Sequence, residues 1–300
     1  MTRTYRSFAK VNLHLQVVGR RPDGYHELKT IFQTVSLHDL LAIEETAAAG
    51  VELEVPDGGA PAGEENLVHR AARAVLERWA PGRGVRIALS KRIPAGGGLG
   101  GGSSNAAVTL MALPEVLGLA APPSELRAMA RELGADVPYF LVGGTALGLG
   151  RGDEIVALPE LPEERLVLVD PGVPVSTAEA FAALGSPRPR PLPSGVLEFL
   201  ASGRAAGIAA LGGDNDLEET VLARVAAVRS VYNALRRAGA AFVRLSGSGG
   251  IVYACFADWQ RGREAQRYLP DGARVFSVRT LSRLAARQAR VVSNEEGDSE

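Results

Sequence analysis

A run of glycine and serine between Pro94 and Ser104 carries the clearest chemical signal in this chain of 300 residues. Of the seven residues from Gly96 to Gly102, six are glycine, and Ser103 and Ser104 follow directly. Because glycine has no Cβ, several backbone N–H groups can converge on one anion, and a helix that begins at such a loop adds the positive end of its dipole. The run therefore predicts a phosphate-binding loop, whose serine hydroxyls are available to phosphate oxygens, a metal ion or a helix cap.

Known phosphate-binding motifs limit what kind of loop this is. A Walker A motif needs a lysine within the run, and none is present. Gly96, Gly98 and Gly101 match the spacing of a dinucleotide fingerprint, but no acidic residue ends a second strand about 20 residues further on. A protein-kinase loop would return to a strand followed by Val-Ala-x-Lys, which is missing here. A flexible linker is also disfavoured, because an apolar strand and a helix bracket the run closely.

A second signal is the scarcity of lysine. Of 33 basic residues only Lys10, Lys29 and Lys91 are lysine, so most positions that accept either cation are filled by arginine. A remaining lysine is a candidate for a site that needs a compact point charge rather than a planar fork. The segment from Phe8 to Val17 alternates between apolar and polar residues, which is typical of a half-buried strand and places Lys10 and Asn12 on one polar face. Lys29 and Lys91 are interpreted as surface residues.

Further strands and helices must position these residues. Periodicity and turn residues predict strands at 8–17, 30–35, 40–45, 51–55, 85–89, 165–170, 241–245, 251–256 and 273–278, and helices at 67–79, 105–117, 123–133, 217–238 and 259–268. Asn66 is expected to cap the first helix, and Ser103 or Ser104 the second. Strands and helices do not alternate regularly, which favours an α+β fold over a doubly wound sheet.

Prolines and polar segments indicate where the chain divides. Pro159 and Pro162 interrupt the pattern before the strand at 165–170, which predicts one domain at residues 1–158 and a second at 159–285. The proline- and arginine-rich residues 186–194 are expected to form a surface loop. The polar residues 286–300 are expected to form a disordered tail.

The composition disfavours several classes of function. Hydrophobic residues make up 46% and charged residues 22% of the chain, and the net charge of −1 gives no general attraction to nucleic acid or to an anionic membrane. The single cysteine, Cys255, excludes an intrachain disulfide and is expected to be a buried, unreactive thiol. The polar N-terminus and the lack of a long apolar run predict a cytoplasmic protein without a membrane partner.

Three segments resemble the GHMP kinases, the family of galactokinase, homoserine kinase and mevalonate kinase. Pro94 to Ala106 resembles the ATP motif of that family, Ser7 to Leu13 its N-terminal strand, and Leu245 to Gly250 its third, glycine-rich motif. The resemblance implies a two-domain fold with the active site in the cleft between the domains, the N-terminal one binding ATP. It also implies a small-molecule kinase that uses ATP with Mg²⁺ and acts as a monomer or weak homodimer, with no nucleic acid partner.

Four further segments sharpen the resemblance to one branch of the family. They are Ala9 to Leu13, Arg21 to Glu27, Gly134 to Phe140 and Asn215 to Glu218. That branch phosphorylates the 2-hydroxyl of a sugar alcohol linked to cytidine diphosphate, in the non-mevalonate route to isoprenoid precursors. Other possibilities are a GHMP kinase for homoserine, mevalonate or a sugar, a non-catalytic ligand sensor on the same fold, and a dinucleotide-dependent oxidoreductase.

The resemblance also implies roles for particular residues. Asp136 would accept the proton of the attacking hydroxyl, and Lys10 would hold that carboxylate ionised and offset charge on the phosphoryl group. Tyr25 and Phe181 would sandwich the cytosine while His26 reads its edge, and Asn12 would hydrogen-bond the substrate. The expected ATP-binding residues are Pro94, Ala95, Gly96, Gly97, Gly98, Leu99, Gly100, Gly101, Gly102, Ser103 and Ser104, and Gly247, Ser248 and Gly249 are expected to line the substrate cleft. No glutamate matches the metal ligand of other family members, which leaves the protein ligand of Mg²⁺ open.

Overall fold

The alternating N-terminal segment forms one strand of a long antiparallel pair. The computed structural model describes residues 2–185 and 190–292. Strand β1 (Arg3–Arg20) pairs with β2 (His26–Thr46) across a tight turn, in which Gly24 has a φ of 87° and its N–H donates to the Arg21 carbonyl at 3.1 Å. The two strands predicted at 30–35 and 40–45 are therefore one continuous strand.

The first sheet is built around β2. The other strands are β3 (Gly50–Glu54), β4 (Gly84–Ser90), β5 (Thr145–Gly150) and β6 (Glu154–Ala157). The order is β3-β4-β2-β5-β6, in which β4 and β5 pair with different parts of β2, and β1 pairs along the length of β2. Its helices are α1 (Leu67–Trp79), α2 (Gly101–Leu117), α3 (Pro123–Leu133) and α4 (Val137–Val142). Buried side chains of α1 and α2 share a core with those of β2 and β4, so the sheet holds α2 and the glycine run before it in place.

The second sheet is antiparallel and has the order β10-β7-β9-β8. Its strands are β7 (Arg165–Asp170), β8 (Phe242–Leu245), β9 (Val252–Cys255) and β10 (Arg274–Arg279). The helices that follow β6 along the chain are α5 (Thr177–Ala182), α6 (Ser194–Ser202), α7 (Ile208–Leu211), α8 (Glu218–Arg224), α9 (Ala226–Arg237), α10 (Trp259–Glu264) and α11 (Arg283–Gln288), with a 3₁₀ turn at Ala265–Tyr268.

The two sheets share a hydrophobic core. Val11 and Ile31 of the first sheet belong to the same buried cluster as Leu168 and Tyr253 of the second, which fixes β1 against the second half of the chain. The strands of the two sheets divide between Ala157 and Arg165, and a domain boundary at 158/159 stays a proposal. The mixed α+β architecture agrees with the prediction.

Two helix boundaries differ from those predicted. Helix α2 begins at Gly101 rather than at 105, because Gly100 adopts the left-handed conformation (φ 69°) and turns the chain into the helix without a side-chain cap. The helix predicted at 217–238 is two helices, separated where Val225 is extended (φ −113°, ψ 95°). The Arg229 guanidinium donates to the carbonyls of Leu222 and Ala223 at 2.8 and 3.2 Å, which satisfies the end of α8 and stabilises the break.

The prediction of a disordered tail from residue 286 is wrong for residues 286–292. Helix α11 continues to Gln288, and the chain then pairs with the outer edge of β1. The Arg6 N–H donates to the Arg290 carbonyl at 2.6 Å, and the Val292 N–H to the Thr4 carbonyl at 3.0 Å. Residues 293–300, and residues 186–189 of the predicted surface loop, lie outside the described residues.

Other predictions are confirmed by the structure. The Asn66 side chain accepts a hydrogen bond from the Val68 N–H and caps α1. Cys255 is buried, and burial raises the pKa of its thiol to about 12, which makes it a poor nucleophile. In the part of the chain that the structure describes, no helix is both long and apolar enough to cross a membrane.

Candidate active site

One cleft is lined by both predicted catalytic residues and by part of the predicted binding residues. It has a volume of about 960 Å³. Its lining includes the predicted residues Lys10, Asn12, Tyr25, His26, Gly98, Ser103, Asp136, Phe181, Gly247 and Ser248. These residues lie on β1, β2 and the turn between them, in the glycine run and the first turn of α2, just before α4, on α5, and in the loop between β8 and β9. The fold therefore brings the predicted catalytic, phosphate and nucleobase groups into a single space.

The two glycine-rich loops meet backbone to backbone at one end of this cleft. A Cβ on Gly98 (φ +78°) would lie 1.9 Å from the Ser246 carbonyl oxygen, and one on Gly249 would lie 2.1 Å from the Gly97 carbonyl carbon. The Ile251 N–H donates to the Gly97 carbonyl at 3.3 Å, and the Ser246 hydroxyl to the Gly98 carbonyl at 2.9 Å. Glycine is required here because no side chain fits between the loops.

The first turn of α2 opens beside that junction. Gly101, Gly102 and Ser103 begin the helix, and their amides have no acceptor one turn earlier. A Cβ on Gly102 would meet only a Leu67 methyl at 3.9 Å, so the fold itself leaves room for a side chain there. Exposed amides at a helix N-terminus, next to a loop without side chains, suit a polyphosphate.

The two serines of the run have different surroundings. Ser103 lines the cleft. The hydroxyl of Ser104 is buried, accepts a hydrogen bond from the Ser7 hydroxyl at 2.7 Å and donates to the Phe8 carbonyl at 2.6 Å. Ser104 therefore ties α2 to β1, and Ser103 is the serine placed to meet a ligand.

Lys91 is not the surface residue that the sequence suggested. Its ammonium group forms a buried ion pair with Asp39, and that carboxylate also accepts the amides of Arg92 and Ile93 at 2.7 and 2.8 Å. A Cβ on Gly101 would lie 3.2 Å from the Lys91 ammonium nitrogen. The ion pair therefore anchors the entry to the glycine run and places a positive charge beside the start of α2. The scarcity of lysine was the signal that could have identified it.

Lys10 and Asp136 form an ion pair in the cleft. The Lys10 ammonium nitrogen lies 3.5 Å from the Asp136 carboxylate and donates to the Asn12 side-chain oxygen at 2.6 Å. The Phe32 ring centroid is 5.5 Å away, and the lysine side chain is only 4% exposed. Burial lowers the pKa of Lys10, whereas the Asp136 carboxylate favours its charged form. The ammonium group is thus held in one position by two oxygen atoms.

Asp136 is the more accessible partner of this pair. Its side chain is 35% exposed, and although it precedes α4 it makes no capping hydrogen bond to that helix. The position of α4 is fixed by the buried Tyr139, whose hydroxyl donates to the Gly144 carbonyl at 2.8 Å and lies 2.7 Å from the Thr34 hydroxyl. Burial raises the pKa of Tyr139, which keeps it a neutral donor. The Asp136 carboxylate is therefore fixed in place yet open to a ligand.

The other end of the cleft is aromatic and more exposed. The rings of His26 and Phe181 stack with centroids 4.7 Å apart and planes inclined by 21°. Tyr25 is 55% exposed, and the guanidinium of Arg151 lies 5.0 Å from its ring centroid. A sandwich of cytosine by Tyr25 and Phe181 stays a prediction, because His26 covers the Phe181 ring in this structure. Arg151 could not be singled out from the sequence, because most basic residues of the chain are arginine.

The surroundings of the His26 imidazole favour its neutral form. Burial lowers the pKa of its imidazole, and the nearby charge of Arg20 lowers it further. A neutral imidazole offers one donor and one acceptor, which is what the edge of a nucleobase requires. The hydroxyls of Thr177, at the start of α5, and Ser248 lie 2.7 Å apart, so a side-chain contact links the aromatic end to the glycine-rich end.

Among the residues that the structure describes, a metal ion at this site would find few protein ligands. Within residues 2–185 and 190–292, no group of three or more His, Cys, Asp or Glu side chains could hold one. A metal ion that enters the cleft with a nucleotide would therefore depend on phosphate oxygens and water for most of its ligands.

The fold and the cleft define a class of phosphotransferase, and comparison with known proteins identifies the family. The model of the GHMP kinases N-terminal domain matches residues 66–144, and that of the GHMP kinases C-terminal domain matches residues 197–274. The chain belongs to the GHMP kinase family, and its two-domain fold is the one predicted. It is an ATP-dependent small-molecule kinase.

Its curated relatives include enzymes named 4-diphosphocytidyl-2-C-methyl-D-erythritol kinase. The enzyme of Solibacter usitatus is 41% identical over 261 residues, which cover 84% of this chain and 81% of the relative. That of Pelotomaculum thermopropionicum is 39% identical over 277 residues, covering 91% and 96%. A crystal structure of 4-(cytidine 5'-diphospho)-2C-methyl-D-erythritol kinase matches with a TM-score of 0.77 and 37% identity, over 92% of this chain and 98% of that one.

Proposed function

We propose that this chain phosphorylates the 2-hydroxyl of 4-diphosphocytidyl-2-C-methyl-D-erythritol with ATP, a step of the non-mevalonate route to isoprenoid precursors. The proposal is supported by relatives of that name at about 40% identity over most of the chain. The observation that carries it is the placement of the Lys10–Asp136 ion pair between a glycine-lined end and an aromatic end of one cleft. That arrangement suits a substrate with a nucleobase far from its reacting alcohol.

Asp136 is proposed as the general base. An alcohol transfers its proton most readily to a carboxylate within hydrogen-bond distance, and the exposed oxygen atoms of Asp136 face the cleft. As the hydroxyl oxygen attacks the γ-phosphorus of ATP, its proton passes to Asp136, and ADP leaves with the electron pair of the broken bond. Phosphoryl transfer depends mainly on alignment and charge neutralisation.

Lys10 is proposed to stabilise the charge that develops during transfer. Its ammonium group is held by Asp136 and Asn12 and is nearly excluded from water, where electrostatic interactions are stronger. The Gly247 backbone lies against the same ammonium group. The transferred phosphoryl group would therefore pass between Lys10 and the amides at the start of α2.

We propose that the phosphates of ATP bind the amides at residues 98–103, with Mg²⁺ held by phosphate oxygens, water and the Ser103 hydroxyl. When bound, Mg²⁺ neutralises charge on the phosphates. The ion pair of Lys91 with Asp39 lies on the far side of Gly101 and holds the entry to the glycine run in place. Because the described side chains offer no acidic cluster, the nucleotide itself would supply most of the protein-independent ligands of Mg²⁺, together with water.

At the aromatic end, Tyr25, His26 and Phe181 are proposed to bind the cytosine. Stacking on an aromatic ring tolerates any base, whereas the donor and acceptor of neutral His26 can distinguish cytosine from uracil. All of these residues belong to one chain, so a monomer or weak homodimer can carry out the reaction. We place the activity in the cytoplasm, where ATP is supplied.

The decisive experiment is product analysis. The purified chain is incubated with ATP, Mg²⁺ and 4-diphosphocytidyl-2-C-methyl-D-erythritol, and the products are followed by phosphorus NMR and mass spectrometry. We expect one new phosphomonoester on the 2-hydroxyl and one ADP per product. Homoserine, mevalonate and methylerythritol without the cytidyl group are the comparison substrates, and faster phosphorylation of any of them would contradict the proposal.

A further inference from the structure

Residues 214–218 form a bridge between the catalytic strand and the second glycine-rich loop. On one side, the Leu15 N–H donates to the Asp214 carbonyl at 2.8 Å, and the Asp216 N–H donates to the Leu15 carbonyl at 2.9 Å. The Val17 N–H donates to the Asp216 carboxylate at 2.7 Å. This segment is therefore hydrogen-bonded to β1, the strand that carries Lys10 and Asn12.

On its other side, the bridge reaches the loop mainly through the buried side-chain amide of Asn215. The Asn215 side chain is 7% exposed, and its NH₂ group donates to the carbonyls of Leu245 and Gly247 at 3.0 and 2.7 Å. Its oxygen accepts the Leu217 N–H at 3.0 Å. Glu218 adds a contact from the same segment by accepting the Leu245 N–H at 2.8 Å. Asn215 thus fixes two carbonyls on either side of Ser246.

Those carbonyls determine where the loop lies relative to the catalytic groups. Gly247 has a φ of +58°, and a Cβ there would lie 3.2 Å from the Asn12 side-chain oxygen and 3.4 Å from the Lys10 ammonium nitrogen. The Gly247 backbone is therefore one wall of the space around Lys10. A shift of this loop would change how the ammonium group faces Asp136 and the transferred phosphate.

We propose that Asn215 is a positioning residue for phosphoryl transfer, which holds the 246–250 loop against Lys10 and Asn12 through its two N–H donors. This inference rests on the proposed function. Asn215 does not line the cleft, so it acts through Gly247 rather than on a ligand. Its loss impairs alignment in the transition state more than binding of either substrate, because a displacement of about 1 Å can cost about 10²-fold in rate.

The test is Asn215→Asp. This change keeps the size of the side chain and the acceptor for the Leu217 N–H, but it replaces both donors by an oxygen that faces two carbonyls. We expect kcat to fall about 10²-fold while KM for ATP and for the cytidyl substrate stay within about threefold. Assays are run well below the melting temperature of each variant. The kcat of Asn215→Ser, which keeps one donor, should lie between those of wild type and Asn215→Asp. If Asn215→Asp does not fold, Asn215→Ser is tested in its place.

Asp216→Asn is the matched control. It lies in the same segment and loses a charge paired with Arg190, but its side chain contacts β1 and not the 246–250 loop. We expect it to lower the melting temperature with little effect on kcat. An equal fall of kcat in Asn215→Asp and Asp216→Asn would overturn the positioning role, as would a rise of KM that accounts for the whole loss.

Hydrogen exchange separates this inference from the proposed function. The Gly249 N–H donates to the Ser246 carbonyl within the loop, and its exchange should be faster in Asn215→Asp than in Asp216→Asn, whatever alcohol the enzyme phosphorylates. If wild type does not phosphorylate the cytidyl substrate, the proposed function fails. If wild type is active and Asn215→Asp keeps normal kcat and normal exchange at Gly249, only the inference about Asn215 fails.

Discussion

The two ends of the cleft are built by opposite means. At the glycine-rich end, backbone packs on backbone, and Gly98 and Gly249 leave no room for a single methyl group. At the aromatic end, three side chains form the surface, one of them more than half exposed. At the first end two backbone loops pack against each other, whereas at the second end side chains project towards solvent.

This difference indicates how each end recognises its ligand. Phosphate groups are alike in every substrate of such a kinase, so they can be bound by amides that are already positioned in the free protein. In the proposed function the aromatic end selects one base, and its side chains carry that selection. The His26 ring covers the Phe181 ring, with centroids 4.7 Å apart, so His26 has to move aside before a base can stack on Phe181. The glycine-rich end is closely packed, whereas the aromatic end has to rearrange for the proposed stacking.

The largest effect is expected where the two ends meet. Asp136→Asn removes the proton acceptor, and we expect kcat to fall by about 10²–10⁴-fold. Lys10→Ala removes the charge beside it and should cost about 10²–10³-fold. Stopped assays at saturating ATP and substrate measure both effects. Lys29→Ala, at a lysine that does not line the cleft, is the control and should behave as wild type. Near-normal turnover in Asp136→Asn would remove it from the catalytic pair.

Much of the fold follows from the sequence, since local patterns determine it. The alternation in β1, the Asn66 cap and the strand at 165–170 needed only neighbouring residues. The break at Val225 is accompanied by hydrogen bonds from Arg229 to the end of α8. The C-terminal segment pairs with β1, a strand almost 290 residues earlier in the chain. Contacts of that kind have no local signature, and helix propensity alone predicts one long helix.

Within the site, the residues were predictable and their relations were not. Lys10, Asp136 and the glycine run were identified from residue type, spacing and resemblance. The stacking of His26 on Phe181, the role of Lys91 beside Gly101 and the bridge through Asn215 are relations between distant segments. Burial reversed the interpretation of Lys91, because an ion pair with the fully buried Asp39 offsets part of the desolvation cost of placing its charge inside.

The close packing at the glycine-rich end predicts opposite changes in stability for substitutions at two nearby glycines. Gly98→Ala forces a Cβ against the Ser246 carbonyl at a positive φ, and we expect a loss of at least about 2 kcal/mol of stability. Gly102→Ala meets open space in the first turn of α2 and should stabilise the fold by about 0.5–1 kcal/mol. Thermal unfolding of the two variants measures this contrast.

The same Gly102→Ala variant tests phosphate binding. A methyl group at the helix N-terminus obstructs a phosphate without disturbing the fold, and we expect KM for ATP to rise roughly fivefold, equivalent to about 1 kcal/mol or one hydrogen bond. KM for the cytidyl substrate should not change. An unchanged KM for ATP would show that the phosphates do not approach the start of α2.

Substitutions at the aromatic end should have little effect on stability but should weaken binding of the cytidyl substrate. Stacking contributes about 1–3 kcal/mol per base, so Tyr25→Ala should raise KM for the cytidyl substrate roughly 5- to 150-fold with a smaller effect on kcat. Tyr25→Phe keeps the ring and is the matched control. Steady-state kinetics at saturating ATP distinguish the two. A KM that is equal in Tyr25→Ala and Tyr25→Phe would exclude stacking on this ring.

A pH dependence is expected at the aromatic end alone. Because burial and Arg20 lower the pKa of His26, its imidazole stays neutral to a lower pH than an ordinary histidine, whose pKa is about 6.5. Below the lowered pKa the ring acceptor becomes a donor, so KM for the cytidyl substrate should be constant down to that pH and then rise, by up to about tenfold per pH unit. His26→Gln, which cannot be protonated in this range, should lose the acidic rise, whereas Tyr25→Phe should retain it. A rise that begins above pH 6.5, or that persists in His26→Gln, would mean that another group titrates and that His26 does not read the base.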